Sequence, residues 1–142
     1  VQTCALPISL PWFHKMPPKS LDRDEFRAFF KKTHRLSNSD AAATLTAIAA
    51  ASVAKGAEHF PSPVTRLLVA GGGRHNAAMM AELRQRMTCT VEPIESAELN
   101  GDMLEAQAFA FLAARVAYGL PTSCPTTTGV PAAIGGGKIS RP

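Results

Sequence analysis

The chain has 142 residues, 46% of them apolar, which fits one domain or part of one domain and excludes a disordered chain. Its net charge of +4 comes from basic residues interspersed with acids, a pattern typical of solvated helix faces, so we expect no nucleic-acid partner. A membrane span needs about 20 consecutive apolar residues, and because no window approaches that length, we expect no membrane partner. The three cysteines form no CxxC pair, which argues against a disulfide framework and a thiolate metal site and favours the cytoplasm.

The N-terminal third predicts an irregular start followed by a helix. Residues 1–10 are interpreted as a leader outside the fold, and the proline-rich sequence PWFHKMPPKS as an extended lead-in. Asp22 followed by Glu25 predicts a helix over residues 22–33. Three phenylalanines at helical spacing form its predicted docking stripe: Phe26, Phe29 and Phe30.

A second helix is predicted over residues 41–55. Ser37, three residues before Asp40, indicates its start, and Gly56 its end. Its larger apolar residues fall on one side: Leu45, Ile48, Ala49 and Val53. The small alanines around this stripe would allow the helix to lie close to a sheet or to another helix.

The middle of the chain predicts a strand, a helix and a strand in that order. The run VTRLLVA, residues 64–70, is typical of a strand covered on both faces. Asn76 is placed to cap a helix with predicted core residues Met79, Met80, Leu83 and Met87. The sequence CTVEPI then predicts a short strand that ends at Pro93. This order implies a right-handed crossover and parallel pairing.

The last predicted helix covers residues 103–118, with Asp102 and Glu105 indicating its start. It is apolar nearly all round, so we expect it to be substantially buried. From Gly119 a sequence rich in Pro, Thr and Gly predicts a course over the surface before a short terminal strand. The four histidines share no metal-ligand spacing, and no metal site is predicted.

Three consecutive glycines, Gly71, Gly72 and Gly73, separate the predicted middle strand from the helix that Asn76 begins. A glycine-rich turn at the carboxyl edge of a sheet offers backbone N–H groups and the positive end of a helix to a ligand. The turn lacks the later glycine of a dinucleotide fingerprint and the lysine of a P-loop. An ordinary left-handed turn accounts for one or two glycines, so three in succession favour a ligand.

The segment LLVAGGGRHNAAMMAEL, followed by NGDMLEAQAFAFLAARVAYGLPTSCPTTTG, resembles the C-terminal portion of the bacterial anhydro-N-acetylmuramic acid kinases. These enzymes are members of the superfamily of sugar kinases, actin and heat-shock ATPases. The lead-in PWFHKMPPKS resembles the family segment that enters this lobe, so the resemblance covers residues 11–139. It implies an α/β fold over residues 11–142, part of the C-terminal ribonuclease H-like lobe of an actin-like ATPase, with a short, mostly parallel sheet packed by helices.

The resemblance also implies a ligand for the residues that match its motifs. Gly71, Gly72, Gly73 and Asn76 would lie against the adenosine end of ATP, and Glu105 would face the anhydro-sugar. From the residues alone, Asn76 is equally a helix cap, and Glu105 is equally the first-turn acid of a capping box.

The implied reaction opens the 1,6-anhydro bridge of anhydro-N-acetylmuramic acid with water and phosphorylates the sugar, using ATP and Mg²⁺, in peptidoglycan recycling. The family's catalytic aspartate and phosphate-binding loops belong to its larger N-terminal part. We therefore expect no catalytic base in this chain, which would be a fragment that is inactive alone. The family also suggests a homodimer for the full-length protein.

Two other functions stay open on the sequence. One is a stand-alone nucleotide-binding or adaptor module that uses the glycine turn without chemistry. The other is a chaperone-like or actin-like ATPase of the same superfamily, in which the helix within GDMLEAQAFAFLA has no expected counterpart.

Overall fold

The computed structural model describes residues 8–17 and 19–140, so most of the predicted leader lies outside the described residues, as does the side chain of Phe29. The described helices and strands are, in chain order, α1 (Arg27–Thr33), α2 (Asn38–Gly56), β1 (Arg66–Val69), α3 (Ala77–Arg86), β2 (Thr90–Pro93), α4 (Leu104–Ala117) and the single turn α5 (Pro125–Thr128). Short 3₁₀ turns occupy Pro11–His14, Arg23–Phe26, Ala57–His59, Gly72–His75 and Ile94–Ala97.

The predicted strand, helix and strand form the centre of the structure and confirm the α/β class. Strands β1 and β2 pair in parallel, with Arg66 opposite Thr90 and Val69 opposite Pro93, and α3 connects them. The expectation that β1 is covered on both faces is wrong for the described residues, because this strand is only partly buried. Side chains alternate along a strand, so Leu67 and Val69 share the face that packs on the core.

The hydrophobic core lies between α2, α3 and β2. Its fully buried members are Ala50, Met80, Leu83 and Val91, and Met79 and Met87 pack against them, which confirms the predicted core face of α3. At Ala50, which has no exposed surface, the side chain is a single methyl group. The small residue lets the two helices approach closely.

The predicted apolar stripe of α2 is not its buried face. The buried residues are the alanines Ala47, Ala50 and Ala51, whereas Val53 is exposed. The other residues of the predicted stripe, Leu45, Ile48 and Ala49, line a groove. Phe26 and Phe30 of the preceding segment line the same groove. Only small side chains fit where α2 packs closely on α3, so the alanines lie in that interface and the larger side chains face this groove.

Local start signals place the first two helices. The Ser37 hydroxyl accepts a hydrogen bond from the Asp40 amide at 3.1 Å, which confirms the predicted start of α2. The Asp22 carboxylate accepts one from the Asp24 amide at 2.8 Å. This second cap opens a 3₁₀ turn, so the helix expected over residues 22–33 consists of that turn followed by α1.

Helix α4 departs most from expectation, because the predicted burial is wrong within the described residues. None of its residues is buried, and Phe109 and Phe111 are 64% and 59% exposed. The described part of the chain provides no covering layer for its apolar residues. Its C-terminal end is closed by a local bond from Leu120 N–H to Arg115 O at 2.8 Å, and the segment before the helix is joined to the glycine-rich turn by the bond from Gly71 N–H to Gly101 O.

The segments at both ends are irregular but connected to the fold. The expected extended lead-in contains the turn Pro11–His14, which buries Phe13, and the Lys19 ammonium donates to the Phe13 carbonyl at 3.0 Å. The expected terminal strand is reduced to one antiparallel bridge between Ser123 and Ile134. None of the described helices combines the length and apolar character that a membrane span requires.

The close approach of α2 and α3 predicts that Ala50→Leu destabilises the fold. The added atoms have no space, and overpacking of this kind costs about 1–3 kcal/mol in the free energy of unfolding. The matched control is Ala43→Leu on the exposed side of α2, which should change stability by about 0.5 kcal/mol or less. Urea denaturation measures both, and equal effects of the two variants would contradict the packing described.

Candidate functional site

The glycine turn (residues 71–73) leaves the end of β1 and begins the approach to α3. Gly71 has φ 68° and ψ −172°, a conformation that essentially only glycine adopts. All three glycines are exposed, and a Cβ built on any of them meets no other atom within 4 Å. The turn is therefore open to solvent over its full length.

The backbone of the glycine turn has unused donors. The next residues form the 3₁₀ turn Gly72–His75, in which the first amides have no carbonyl partner of their own. Among the described residues, the amides of Gly72 and Gly73 donate to no backbone carbonyl outside that turn. An exposed, bare backbone with free N–H groups is suited to a ligand that carries hydrogen-bond acceptors.

Asn76 caps α3, as the sequence predicts. Its Oδ1 accepts a hydrogen bond from the Met79 amide at 3.1 Å. The same side chain lies directly beyond the glycine turn and is exposed. Its amide group is therefore accessible from solvent next to the turn.

The arginine cluster (Arg74, Glu95 and Asp102) lies immediately behind the glycine turn. The side chain of Arg74 is only 3% exposed. Its guanidinium donates to the Gly71 carbonyl at 2.7 Å, to Glu95 Oε1 at 2.7 Å and to Asp102 Oδ1 at 2.8 Å. One side chain thus connects the turn to two later segments of the chain.

Gly101 provides the space for this cluster. It is buried, and its carbonyl accepts a hydrogen bond from the Gly71 amide at 3.4 Å. A Cβ at this position would lie 2.5 Å from Arg74 Nε and 2.8 Å from Glu95 Oε1, well inside contact distance. Only glycine therefore fits between the guanidinium and the segment that leads into α4.

The charges in the arginine cluster stabilise one another. The hydrogen bond from Arg74 lowers the pKa of the Asp102 carboxyl, and the hydrogen bond to Asp102 raises the pKa of Arg74. The pKa of Glu95 is lowered chiefly by a hydrogen bond from its own backbone and also by Arg74. One cation therefore lies between two carboxylates that both remain ionised at neutral pH.

The start of α4 differs from the prediction. Asn100, not Asp102, accepts the free amides there: its Oδ1 bonds to the amides of Asp102 at 3.0 Å and Met103 at 3.2 Å. The predicted capping role of Asp102 is wrong because its carboxylate is bound to Arg74. Nor does Glu105 form a capping box, since the residue at the cap position, Met103, makes no side-chain cap.

Glu105 is the second residue of α4 and is exposed. Its carboxylate makes no hydrogen bond or ion pair with the described residues.

The predicted site residues are connected through the backbone. The Gly71 amide bonds to the carbonyl of Gly101, which lies four positions before Glu105 in the sequence. Two of the residues that hold this arrangement, Arg74 and Glu95, were not predicted, and the one sequence signal is a charged residue directly after the three glycines.

No metal site is apparent in the part of the chain that the structure describes. Its His, Cys, Asp and Glu side chains include no group of three placed to hold a metal ion. The two acids nearest the glycine turn, Glu95 and Asp102, are both engaged by Arg74.

The backbone conformation at Gly71 predicts unequal effects of alanine along the turn. Gly71→Ala forces a side chain into a glycine-only region and should cost about 1–3 kcal/mol of stability. Gly72→Ala, where φ is not positive and the space is open, should leave stability unchanged or raise it by about 0.4–1 kcal/mol. Thermal unfolding compares the two, and a stable Gly71→Ala protein would refute the assigned conformation.

The arginine cluster predicts an acid-sensitive link. Because Arg74 lowers the folded-state pKa of Asp102, the stability from this pair is present above the ordinary aspartate pKa and lost as the pH falls below about 4. Carboxyl ¹³C NMR should give a titration midpoint for Asp102 below that of an unfolded aspartate. In Arg74→Met the midpoint should rise to the ordinary value, and a midpoint that does not move would remove Arg74 as the cause.

The family model described as anhydro-N-acetylmuramic acid kinase matches residues 7–141. The chain is similar to proteins named anhydro-N-acetylmuramic acid kinase from three bacteria. It is 57% identical to the protein of Ruegeria sp. over 132 residues (93% of this chain) and 64% identical to that of Cereibacter sphaeroides over 131 residues (92%). It is 51% identical to that of Rhodospirillum rubrum over 126 residues (89%). The chain spans about a third of their length: 35%, 35% and 33%. The chain therefore belongs to the anhydro-N-acetylmuramic acid kinase family.

Proposed function

We propose that residues 11–142 are part of the C-terminal nucleotide- and sugar-binding lobe of an actin-like, ATP-dependent kinase. The kinase opens the 1,6-anhydro ring of anhydro-N-acetylmuramic acid and phosphorylates it to N-acetylmuramic acid 6-phosphate in cytoplasmic peptidoglycan recycling. Family membership supports the kinase class. One structural observation carries the assignment of the site: the bare, open glycine turn is bonded to the segment that leads to Glu105.

The glycine turn is the proposed contact for the adenosine end of ATP. A flat ring system can lie directly on the main chain there, because no side chain covers residues 71–73. The free amides of Gly72 and Gly73 and the exposed side-chain amide of Asn76 supply hydrogen-bond donors at its border. These features offer a nucleotide base or ribose an uncovered backbone surface with hydrogen-bond donors beside it.

Glu105 is the proposed sugar ligand. Its carboxylate is exposed and has no partner among the described residues, so it is available to accept hydrogen bonds from sugar hydroxyl and amide groups. The bond between Gly71 and Gly101 holds the start of its helix beside the turn. The two proposed contacts therefore belong to one connected surface.

In the proposed reaction, water attacks the anomeric carbon and gives a proton to the general-base aspartate while the bond between this carbon and O6 breaks. O6 then accepts the γ-phosphoryl group of ATP, and ADP leaves. Phosphoryl transfer depends on alignment and on neutralising charge, which Mg²⁺ supplies when bound with ATP. The residues described in this chain bind and orient the nucleotide and the sugar. As the family resemblance implies, we assign the general-base aspartate and the Mg²⁺ ligands to the family's N-terminal part.

The exposed surface of α4 supports a partial lobe. A helix that is apolar nearly all round is normally buried, yet Phe109 and Phe111 are largely exposed here. In the proposed whole kinase, this helix packs against polypeptide outside the matched third of the relatives' length. The homodimer that the family suggests belongs to the same proposal for the full-length protein.

Alanine in the glycine turn tests nucleotide binding separately from folding. Gly72→Ala and Gly73→Ala add a methyl group that meets nothing in the protein. If ATP lies on this backbone, each should weaken ATP binding by about tenfold, equivalent to about 1.4 kcal/mol. Calorimetric titration with ATP and with anhydro-N-acetylmuramic acid on the native chain and the variants measures this.

Gly56→Ala is the matched control, because it makes the same change in equally open space at the end of α2. It should bind ATP as the native chain does. Equal ATP affinity in all four proteins would rule out the turn as the nucleotide contact. ATP-dependent phosphorylation of the anhydro-sugar by this chain alone would contradict the assignment of the catalytic aspartate to another part of the kinase.

A further inference from the structure

Two segments that carry the proposed ligand contacts are connected by a single side chain. Arg74 immediately follows the glycine turn and bonds back to the Gly71 carbonyl at 2.7 Å. The same guanidinium bonds to Asp102, two residues before α4 begins. We call these contacts of Arg74 with Gly71, Glu95 and Asp102 the Arg74 bridge. A backbone hydrogen bond from Gly71 N–H to Gly101 O lies beside it.

The bridge is built more tightly than a surface ion pair. Exposed ion pairs contribute little because water competes for both charges. Here the two carboxylates are 47% and 67% exposed, but the Arg74 side chain is only 3% exposed, and its Nε, Nη2 and Nη1 donate to Glu95, Asp102 and the Gly71 carbonyl, respectively. All three nitrogens of the guanidinium are therefore engaged, and its plane is fixed.

The surrounding residues leave one position for this guanidinium. Gly101 lacks the Cβ that would lie 2.7 Å from Arg74 Cζ, so the planar group passes directly over the backbone there. A lysine could not reach all three acceptors at once, because its donors share a single nitrogen and lack the planar fork of the guanidinium. The arrangement is specific for arginine at position 74.

We propose that Arg74 is a positioning residue that couples the glycine turn to the start of α4, so that one guanidinium sets both the nucleotide contact and the placement of Glu105. This inference rests on the proposed function for the identity of the two ligands. It assigns Arg74 no contact with substrate: Arg74 acts through Gly71 on one side and through Asp102 on the other. When nucleotide binding orders the glycine turn, Arg74 transmits this ordering to residues 101–105.

Amide hydrogen exchange tests the coupling on the 142-residue chain with and without ATP. In the native chain, ATP should slow exchange in the glycine turn and also in residues 101–103. In Arg74→Met, residues 101–103 should exchange about tenfold faster without ligand, and ATP should protect the turn alone. Arg74→Lys should restore part of the protection, because it keeps the charge and one bond.

Arg66→Met is the matched control for general loss of stability. Arg66 pairs with Glu92 and bonds to Ser96, joining β1 to the segment after β2, but it touches neither the turn nor residues 101–103. This variant should keep the native response to ATP in both segments. Loss of the distant protection in Arg66→Met as well would reduce Arg74 to a structural role.

The outcomes separate this inference from the proposed function. ATP-induced protection at residues 101–103 that persists in Arg74→Met would overturn the coupling while leaving the nucleotide site intact. Absence of any ATP-induced protection in the native chain would instead overturn the nucleotide site. In that case, unchanged exchange of residues 101–103 in ligand-free Arg74→Met would also overturn the bridge.

Discussion

The buried guanidinium of Arg74 is the interaction on which the candidate site depends. A buried cation is costly unless its hydrogen bonds and charge are satisfied, and this one is satisfied by two carboxylates and the carbonyl of Gly71. Each partner belongs to a different segment, so these segments are held in one arrangement. The missing side chain at Gly101 makes that arrangement sterically possible.

The candidate site combines a fixed interior with an exposed surface. Behind the glycine turn, the hydrogen bonds of the arginine cluster determine the geometry. In front of it, three glycines present bare backbone, and Glu105 presents an exposed carboxylate that has no partner within the described segments. A binding surface needs this contrast, because groups that are already satisfied within the protein have little left to offer a ligand.

Sequence signals that act over a few residues predict the structure correctly. Ser37 and Asn76 cap the helices they were expected to cap, because a side-chain oxygen reaches an amide only three residues away. The parallel pairing of β1 and β2 also followed from the order of strand, helix and strand. The same local logic failed at Asp102, whose carboxylate had a local role available but bonds to the distant Arg74 instead.

The sequence by itself determined the α/β class, the positions of the main helices and strands, and the exposed backbone of the glycine turn. It also determined the family to which its motifs point. Tertiary structure alone decided which face of α2 is buried, since close packing at Ala50 favours small side chains over the larger apolar stripe. It also decided that Arg74 is buried and that Gly101 must lack a side chain. These features depend on contacts between residues far apart in the chain, and periodicity and capping patterns carry no information about such contacts.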